Sequence, residues 1–247
     1  MTALAHSEEH GQAARARIRH AGGPQPELLI ADLASGDAIR QAARAFTARH
    51  DELHLLVHGA AVFLFRRLTS PEGHELMFAT NHLGPFRLTH LLLDTLKTGA
   101  PAKVLTITAP STVPLDFDYL QGEASYRATN AFGATKTANL LFAFALARRL
   151  EGTGVTSNAV HPGLVRSNLM RHAPAPLRWL SYLTSAPPER AVGPILDAAA
   201  GPAYAGQTGR FYLRGKGIDP PEYTRDQAVQ ERLWAVSESL AGLVTST

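Results

Sequence analysis

Short apolar stretches alternate with longer amphipathic ones along nearly all of this 247-residue chain, and that alternation restricts the fold more than any other feature. ELLIA (27–31), LHLLV (53–57), KVLTIT (103–108), GVTSNAV (154–160) and GRFYL (209–213) read as buried strands. Helical patterns lie between them. Ser7 with Glu8 and Glu9 opens one that Gly22 and Gly23 stop, another runs from about Ser35 to His50, and Ser70-Pro71-Glu72 opens a long one. Further helices are expected from NAFGATK (130–136) through Arg149, from about Pro188, and around AVQERLWAVSESL (228–240). Strands separated by helices pair in parallel. With no internal repeat and no Gly/Ser linker to divide it, the chain reads as one doubly wound, Rossmann-like α/β domain over 1–247, with 45% hydrophobic residues to fill its core.

The remaining numbers exclude whole classes of function. A formal charge of +3 and a pI near 9.4 look basic, but Lys and Arg are scattered among Asp and Glu, so no stripe for nucleic acid forms. The absence of cysteine rules out disulfides and thiolate metal sites, no His and carboxylate set has metal-ligand spacing, and no apolar run is long enough to span a bilayer. The opening MTALAHSEEH lacks the order of a signal peptide. A cytoplasmic protein without metal, membrane or nucleic-acid partner is expected.

Several segments together resemble the short-chain dehydrogenase/reductase family, in particular its retinol-dehydrogenase-like branch. ELLIADLAS resembles the family's third strand, whose aspartate, here Asp32, lies near the adenine. NHLGPFRLTHLLLDTLK resembles its central helix, with the structural asparagine at Asn81, and residues 138–169 resemble the helix, strand and Pro-Gly turn, here with Gly163, that approach the nicotinamide. The resemblance implies a parallel sheet and a substrate lid over about 168–190.

Three departures accompany the resemblance. The family's opening strand, glycine-rich turn and helix, which bind the pyrophosphate, have no counterpart, and TALA with the helix after it resembles the second such unit. TALA is therefore expected either to move in beside LHLLV or to leave a slot that a partner chain fills. The family's Asn-Asn-Ala-Gly turn reads His58-Gly59-Ala60-Ala61, and the catalytic serine and tyrosine positions fall on TITAPST (106–112) and Phe132. The resemblance thus leaves Asp32 and Gly163 as vestiges and implies no bound cofactor.

Candidate site residues follow, each with two readings. Lys136 shares a helical face with Phe132 and is either a depressed-pKa base or carbonyl-polarising cation, or a helical lysine paired with solvent or a carboxylate. The resemblance sets Asn81 beside it, holding a water. His58 is either a replacement acid or base or a hydrogen-bonded structural residue. Thr108 and Ser111 orient a substrate carbonyl, or Thr108 is a strand residue only. Phe132 is core filler or an aromatic wall, and the stretch holding Trp179 and Tyr182 is a cover for an apolar ligand, a helix over the core or a dimer contact. His82 and His161 look structural.

The first functional expectation is chemistry without NAD(P) on a small hydrophobic metabolite, a cyclisation, dehydration or isomerisation in a biosynthetic pathway, with Lys136, Asn81 and His58 catalytic. The alternatives are a non-catalytic partner subunit of an intact short-chain dehydrogenase and an impaired NAD(P)-dependent oxidoreductase. A homodimer or heteromer through the helices around 70–98 and 131–150 is expected.

Overall fold

The structure, a computed structural model, describes residues 1–122, 125–171 and 173–243, apart from the side chain of Leu177. β1 (Thr2–Ala5), α1 (Glu8–His20) and β2 (Glu27–Ile30) form a first unit in which β1 and β2 pair in parallel, Thr2 beside Glu27 and Ala5 beside Ile30. α2 (Gly36–Thr47) follows, its first turn closed by the Ser35 hydroxyl accepting from the Ala38 N–H, and leads to β3 (Leu55–His58). Next come α3 (Leu76–Phe78), a π turn (Ala79–Leu83), α4 (Gly84–Leu91) and α5 (Leu93–Thr98). Then β4 (Ala102–Ile107), α6 (Ala128–Arg149), β5 (Val155–His161), α7 (Ala175–Thr184), α8 (Pro188–Ala200), β6 (Phe211–Leu213), β7 (Lys216–Ile218) and α9 (Gln227–Leu240) complete the chain.

β3, β4, β5 and β6 are parallel neighbours in that order, and β7 adds an antiparallel edge. The α/β fold with a parallel sheet expected from the alternation is present. β7 was not anticipated: Arg214 and Gly215 both take positive φ (49° and 83°), the backbone of a tight hairpin turn, and fold Lys216–Ile218 back on β6.

β1 does not cross to β3. It stays with β2 in a separate two-stranded sheet, and β1 and β3 each present an edge that no described strand pairs. One apolar layer nevertheless spans both sheets: Ile39, Ala43 and Phe46 of α2 and Leu88 of α4 pack with Leu4 and Leu29 on one side and Leu53 and Leu56 on the other.

Residues 70–75 are not helical, contrary to expectation. Gly73 takes φ +85°, the Ser70 and His74 backbones bond across the turn, and the Glu75 carboxylate caps the helix that begins at Leu76, accepting from the N–H groups of Met77 (3.0 Å) and Phe78 (2.7 Å). The π turn has a covalent cause as well. Pro85 has no N–H to give to the carbonyl four residues back, and its ring would collide with that carbonyl of Asn81, so the turn widens and Gly84 N–H bonds Ala79 instead.

The helices around 70–98 and 131–150 share a contact with the final helix. Trp234 of α9 packs on Phe86 of α4 (5.0 Å between centroids) and stacks on Phe142 of α6 (6.1 Å), with the Arg149 guanidinium 3.9 Å above its ring. No described helix is long and apolar enough to cross a membrane.

Gly84 marks a close approach of a helix to backbone. A Cβ there would stand 2.5 Å from the Leu33 carbonyl oxygen, a backbone atom that cannot turn aside. Gly84→Ala should destabilise the fold by about 1–3 kcal/mol. Thermal unfolding should show a fall of roughly 2–4 °C per kcal/mol for a chain of this size.

Candidate active site

Three side-chain bonds fix the rotation of α6 on the sheet. The Thr108 hydroxyl, just past β4, donates to the Lys136 carbonyl (2.9 Å), Thr137 donates to the Val113 carbonyl (2.7 Å), and Ser157 of β5 donates to the Ala143 carbonyl (3.0 Å). Gly133 lets the 111–113 loop close on the helix, since a Cβ there would meet Val113 at 2.6 Å. With α6 held this way, Lys136 is buried and its ammonium lies 5.0 Å from the Phe132 ring centroid, a cation on an aromatic face. Phe132 meets Phe63 edge-on at 5.2 Å. Burial alone pulls the Lys136 pKa down to about 8, because no carboxylate among the described residues pairs with it.

Asn81, fully buried in the π turn, braces this corner. Its Oδ1 accepts from the Val62 N–H (2.8 Å), and its Nδ2 donates to the Val62 carbonyl (3.0 Å) and to the Thr135 hydroxyl (3.2 Å), which in turn donates to the Phe132 carbonyl. The loop after β3 is thereby tied to the first turns of α6. Thr108 gives its proton to the Lys136 carbonyl, so it holds the helix. Ser111 accepts from the Val113 N–H (3.3 Å) and faces Gly133.

His58 stands in another group. Its Nε2 is 2.7 Å from the Thr89 hydroxyl, which already donates to the Pro85 carbonyl, so the ring nitrogen is the donor. Burial holds its pKa at about 4, beside Phe142 at 6.5 Å, and no described contact joins it to Lys136. Asp32 accepts from the Ala34 N–H at 2.9 Å at the end of β2, and Gly163 takes φ +100° in the turn after β5, where a Cβ would meet Arg214 at 3.0 Å. Trp179 and Tyr182 lie on α7, 67% and 56% exposed. The Arg166 guanidinium lies 4.2 Å from the Tyr182 ring, and no described contact brings either residue to Phe132. Of the segment 168–190 expected as a lid, His172 and the Leu177 side chain lie outside the described residues.

His161 is nearer the centre than its sequence reading implied. Thr108 and His161 follow register partners at the ends of adjacent strands, and the His161 Nδ1–H donates to the Thr108 carbonyl at 2.9 Å. Its pKa is lowered by burial and by the neighbouring charges of Arg214 and Lys136. The signal available in sequence was position: both residues end strands whose carboxyl ends open on one crevice. Among the described residues no group of three His or carboxylate side chains is arranged to hold a metal.

A family model described as short chain dehydrogenase matches residues 1–177. The chain belongs to the short-chain dehydrogenase family. Human retinol dehydrogenase 14 is 33% identical over 97% of this chain and 77% of its own length, and dehydrogenase/reductase SDR family member 13 of Bos taurus is 37% identical over 96% of this chain and 65% of its own length. Among solved structures, an uncharacterised protein of Mycobacterium paratuberculosis superposes with TM-score 0.72 at 24% identity, covering 97% of this chain and 82% of that one. The Pseudomonas aeruginosa RhlG/NADP complex does so with TM-score 0.67 at 25% identity, over 85% of this chain and 82% of that one.

Membership corrects the first functional expectation. A cyclase, lyase or isomerase working without a dinucleotide does not agree with a dehydrogenase family model and relatives named as dehydrogenases. Phe132 and the TALA start carried that expectation. A single substituted position and an altered N-terminal unit weigh less than likeness along almost the entire chain.

The buried histidines set an acid limit on stability. His58 and His82 are both neutral in the fold, with pKa values lowered to about 4 by burial, while an unfolded histidine titrates near 6.5. Between those values the unfolded chain binds more protons, so stability falls as pH drops from about 6.5 toward 4, by about 2–3 kcal/mol per histidine. Thermal midpoints measured across that window should fall steadily, and His58→Phe should flatten the slope.

Proposed function

We propose that this chain is an oxidoreductase acting on a small apolar alcohol or carbonyl compound, with Lys136 as its proton-handling group. The observation that carries the reading is the Lys136 ammonium, buried on the face of Phe132 at the carboxyl ends of β4 and β5 with its pKa brought down to about 8. In the resemblance drawn from sequence, Phe132 occupies the position of the family's proton-donating tyrosine. Lys136 is a titrating side chain left at that corner, one helical turn from Phe132. The aromatic wall of Phe132 and Phe63, and relatives named as retinol dehydrogenases, support an apolar substrate.

The residues fit a nicotinamide dinucleotide at its reactive end and not at its phosphate end. Asn81 ties the loop after β3 to Thr135 beside Lys136, and the Gly163 turn follows the strand whose His161 bonds the Thr108 carbonyl. A pyrophosphate cradle needs a strand, a glycine turn and a helix N-terminus at the centre of the sheet, and between β1 and β3 no described strand stands. When bound, the dinucleotide supplies hydride exchange.

The chain's own part is to exclude water and move one proton. In the oxidation direction the neutral Lys136 amine takes the substrate hydroxyl proton; in the reduction direction its ammonium returns a proton to the carbonyl oxygen. A pKa near 8 keeps both forms populated close to neutrality. Asn81 and Thr108 keep the amine's helix and the facing loop in register, and on this reading Ser111 bonds the same substrate oxygen.

Assays of apolar alcohols and aldehydes with NAD(H) and NADP(H) test the reading. The oxidation rate should rise as pH passes about 8 and the reduction rate should fall over the same range, following Lys136. Lys136→Met should lower turnover by about 100-fold or more. Lys136→Arg keeps the charge but cannot release a proton, so oxidation should be lost and the pH step with it. An unchanged pH profile in Lys136→Arg would remove Lys136 from this role.

A further inference from the structure

The turn between β6 and β7 contains a residue that its backbone shape does not suit. Arg214 takes φ +49°, the one positive φ of a non-glycine among the described residues, where a two-residue hairpin turn of this kind favours asparagine. Strain of this sort collects where a side chain is placed for binding or catalysis. Two contacts set its direction. The Arg214 N–H donates to the His161 carbonyl (2.9 Å) where β6 runs beside β5, and the side chain lies over Gly163, with Nε 3.0 Å and Nη2 3.7 Å from the point a Cβ would occupy. Gly163 itself takes φ +100°, a conformation that glycine reaches without cost, so the seat under the arginine stays open. The guanidinium has no hydrogen-bond or ion-pair partner among the described residues.

The neighbouring chain offers this cation nothing to pair with. The stretch after β5 (162–187) and the β6–β7 hairpin (211–218) carry Arg166, Arg171, Arg178 and Lys216 and no aspartate or glutamate, and α6 has neither. The charges of Arg214 and Lys136 both reach the His161 ring, and no carboxylate does. With its Nδ1–H given to the Thr108 carbonyl, His161 keeps an Nε2 that has no partner among the described residues. Arg214 follows the end of β6, two strands beyond β4 and on the side away from β3. A dinucleotide's pyrophosphate lies at the switch point of the strand order, on the β3 side, so Arg214 is not its receptor.

We propose that Arg214 receives a carboxylate at the far end of the substrate, which makes that substrate an apolar hydroxy acid or its oxo counterpart. The inference rests on the oxidoreductase reading and names its substrate class. A guanidinium offers a carboxylate two parallel N–H donors. One unpartnered cation balances the single charge of a carboxylate, whereas a phosphate monoester carries nearly two. Arg214 is exposed and Lys136 is buried, so the substrate enters with its reacting end first. Its charged end stays at the rim, where a carboxylate gives up least hydration. Two strand spacings, about 10 Å, separate the ends of β4 and β6, a span that an extended octyl chain covers.

Calorimetry on the full chain with octanoate, octanol and methyl octanoate tests the site without turnover. Octanoate should bind about 10-fold or more tightly than the other two, the margin that charge-assisted hydrogen bonds supply, and Arg214→Asn should remove that margin. Asparagine suits the turn better than arginine, so the thermal midpoint of Arg214→Asn should hold or rise. Lys216→Met takes the same charge from the same hairpin and should leave octanoate binding as it was. A carboxylate preference that is absent, that survives Arg214→Asn, or that falls equally with Lys216→Met overturns the proposal. So does octyl phosphate bound through Arg214 more tightly than octanoate, or a fall in the midpoint, which would make the arginine a structural residue. With ω-hydroxyoctanoate and its methyl ester as substrates, Arg214→Asn should lower kcat/KM for the acid relative to the ester by about 10-fold or more. If neither compound is turned over while octanoate binding still depends on Arg214, the oxidoreductase reading fails and the carboxylate site stands.

Discussion

The seating of α6 on β4 and β5 is the constraint on which the rest of the structure depends. Thirteen consecutive residues of this helix, Thr135 to Ala147, are buried. A helix hydrophobic on every side could rotate or slide with little change in burial. The hydroxyls of Thr108, Thr137 and Ser157 remove that freedom, because each bonds one particular carbonyl and fits one rotation only. The position of Lys136 against Phe132 follows from that setting, as do the contacts of Phe142 with Phe86 and Trp234 on the opposite side.

Where the sequence was legible, the residues themselves imposed local order. The strands ELLI, LLVH and VTSNAVH and the helix ending at Arg149 follow apolar pattern and cap chemistry, and they form nearly where expected. The misses have a shared origin in backbone effects that pattern does not report. Gly73 at positive φ halts a helix that Ser70 and Pro71 seemed to open, and the Arg214-Gly215 turn creates a strand from a segment with no apolar alternation. Pro85 was visible as a proline, but its consequence, a widened turn that aims Asn81 at Val62, requires the partner loop to be in place.

The site was legible in part for the same reason. Lys136 and Phe132 are one helical turn apart, so their contact is a local property of α6. His58, Trp179 and Tyr182 depend on which side of a strand or helix meets which neighbour, and the fold sends His58 under α4 and leaves α7 turned outward. His161 enters the group through strand register, a long-range relation that no stretch of sequence displays. Function was misread where Phe132 and the TALA start were given more weight than likeness spread over the entire chain.

Three polar side chains between residues 74 and 87 find partners in the final helix and just beyond it. The Leu240 carbonyl bonds His74, the Ser237 hydroxyl bonds His82, and the Ala241 carbonyl accepts from Arg87, whose guanidinium also holds Glu72. During synthesis from the N-terminus, these imidazoles and this guanidinium are made about 150 residues before the groups that satisfy them. A chain emerged only as far as α6 therefore carries an open polar seam beside α4, and the arrival of α9 shuts it. The last helix thus acts as a clasp on polar groups of the first half of the chain, which have the longest wait for their partners during synthesis.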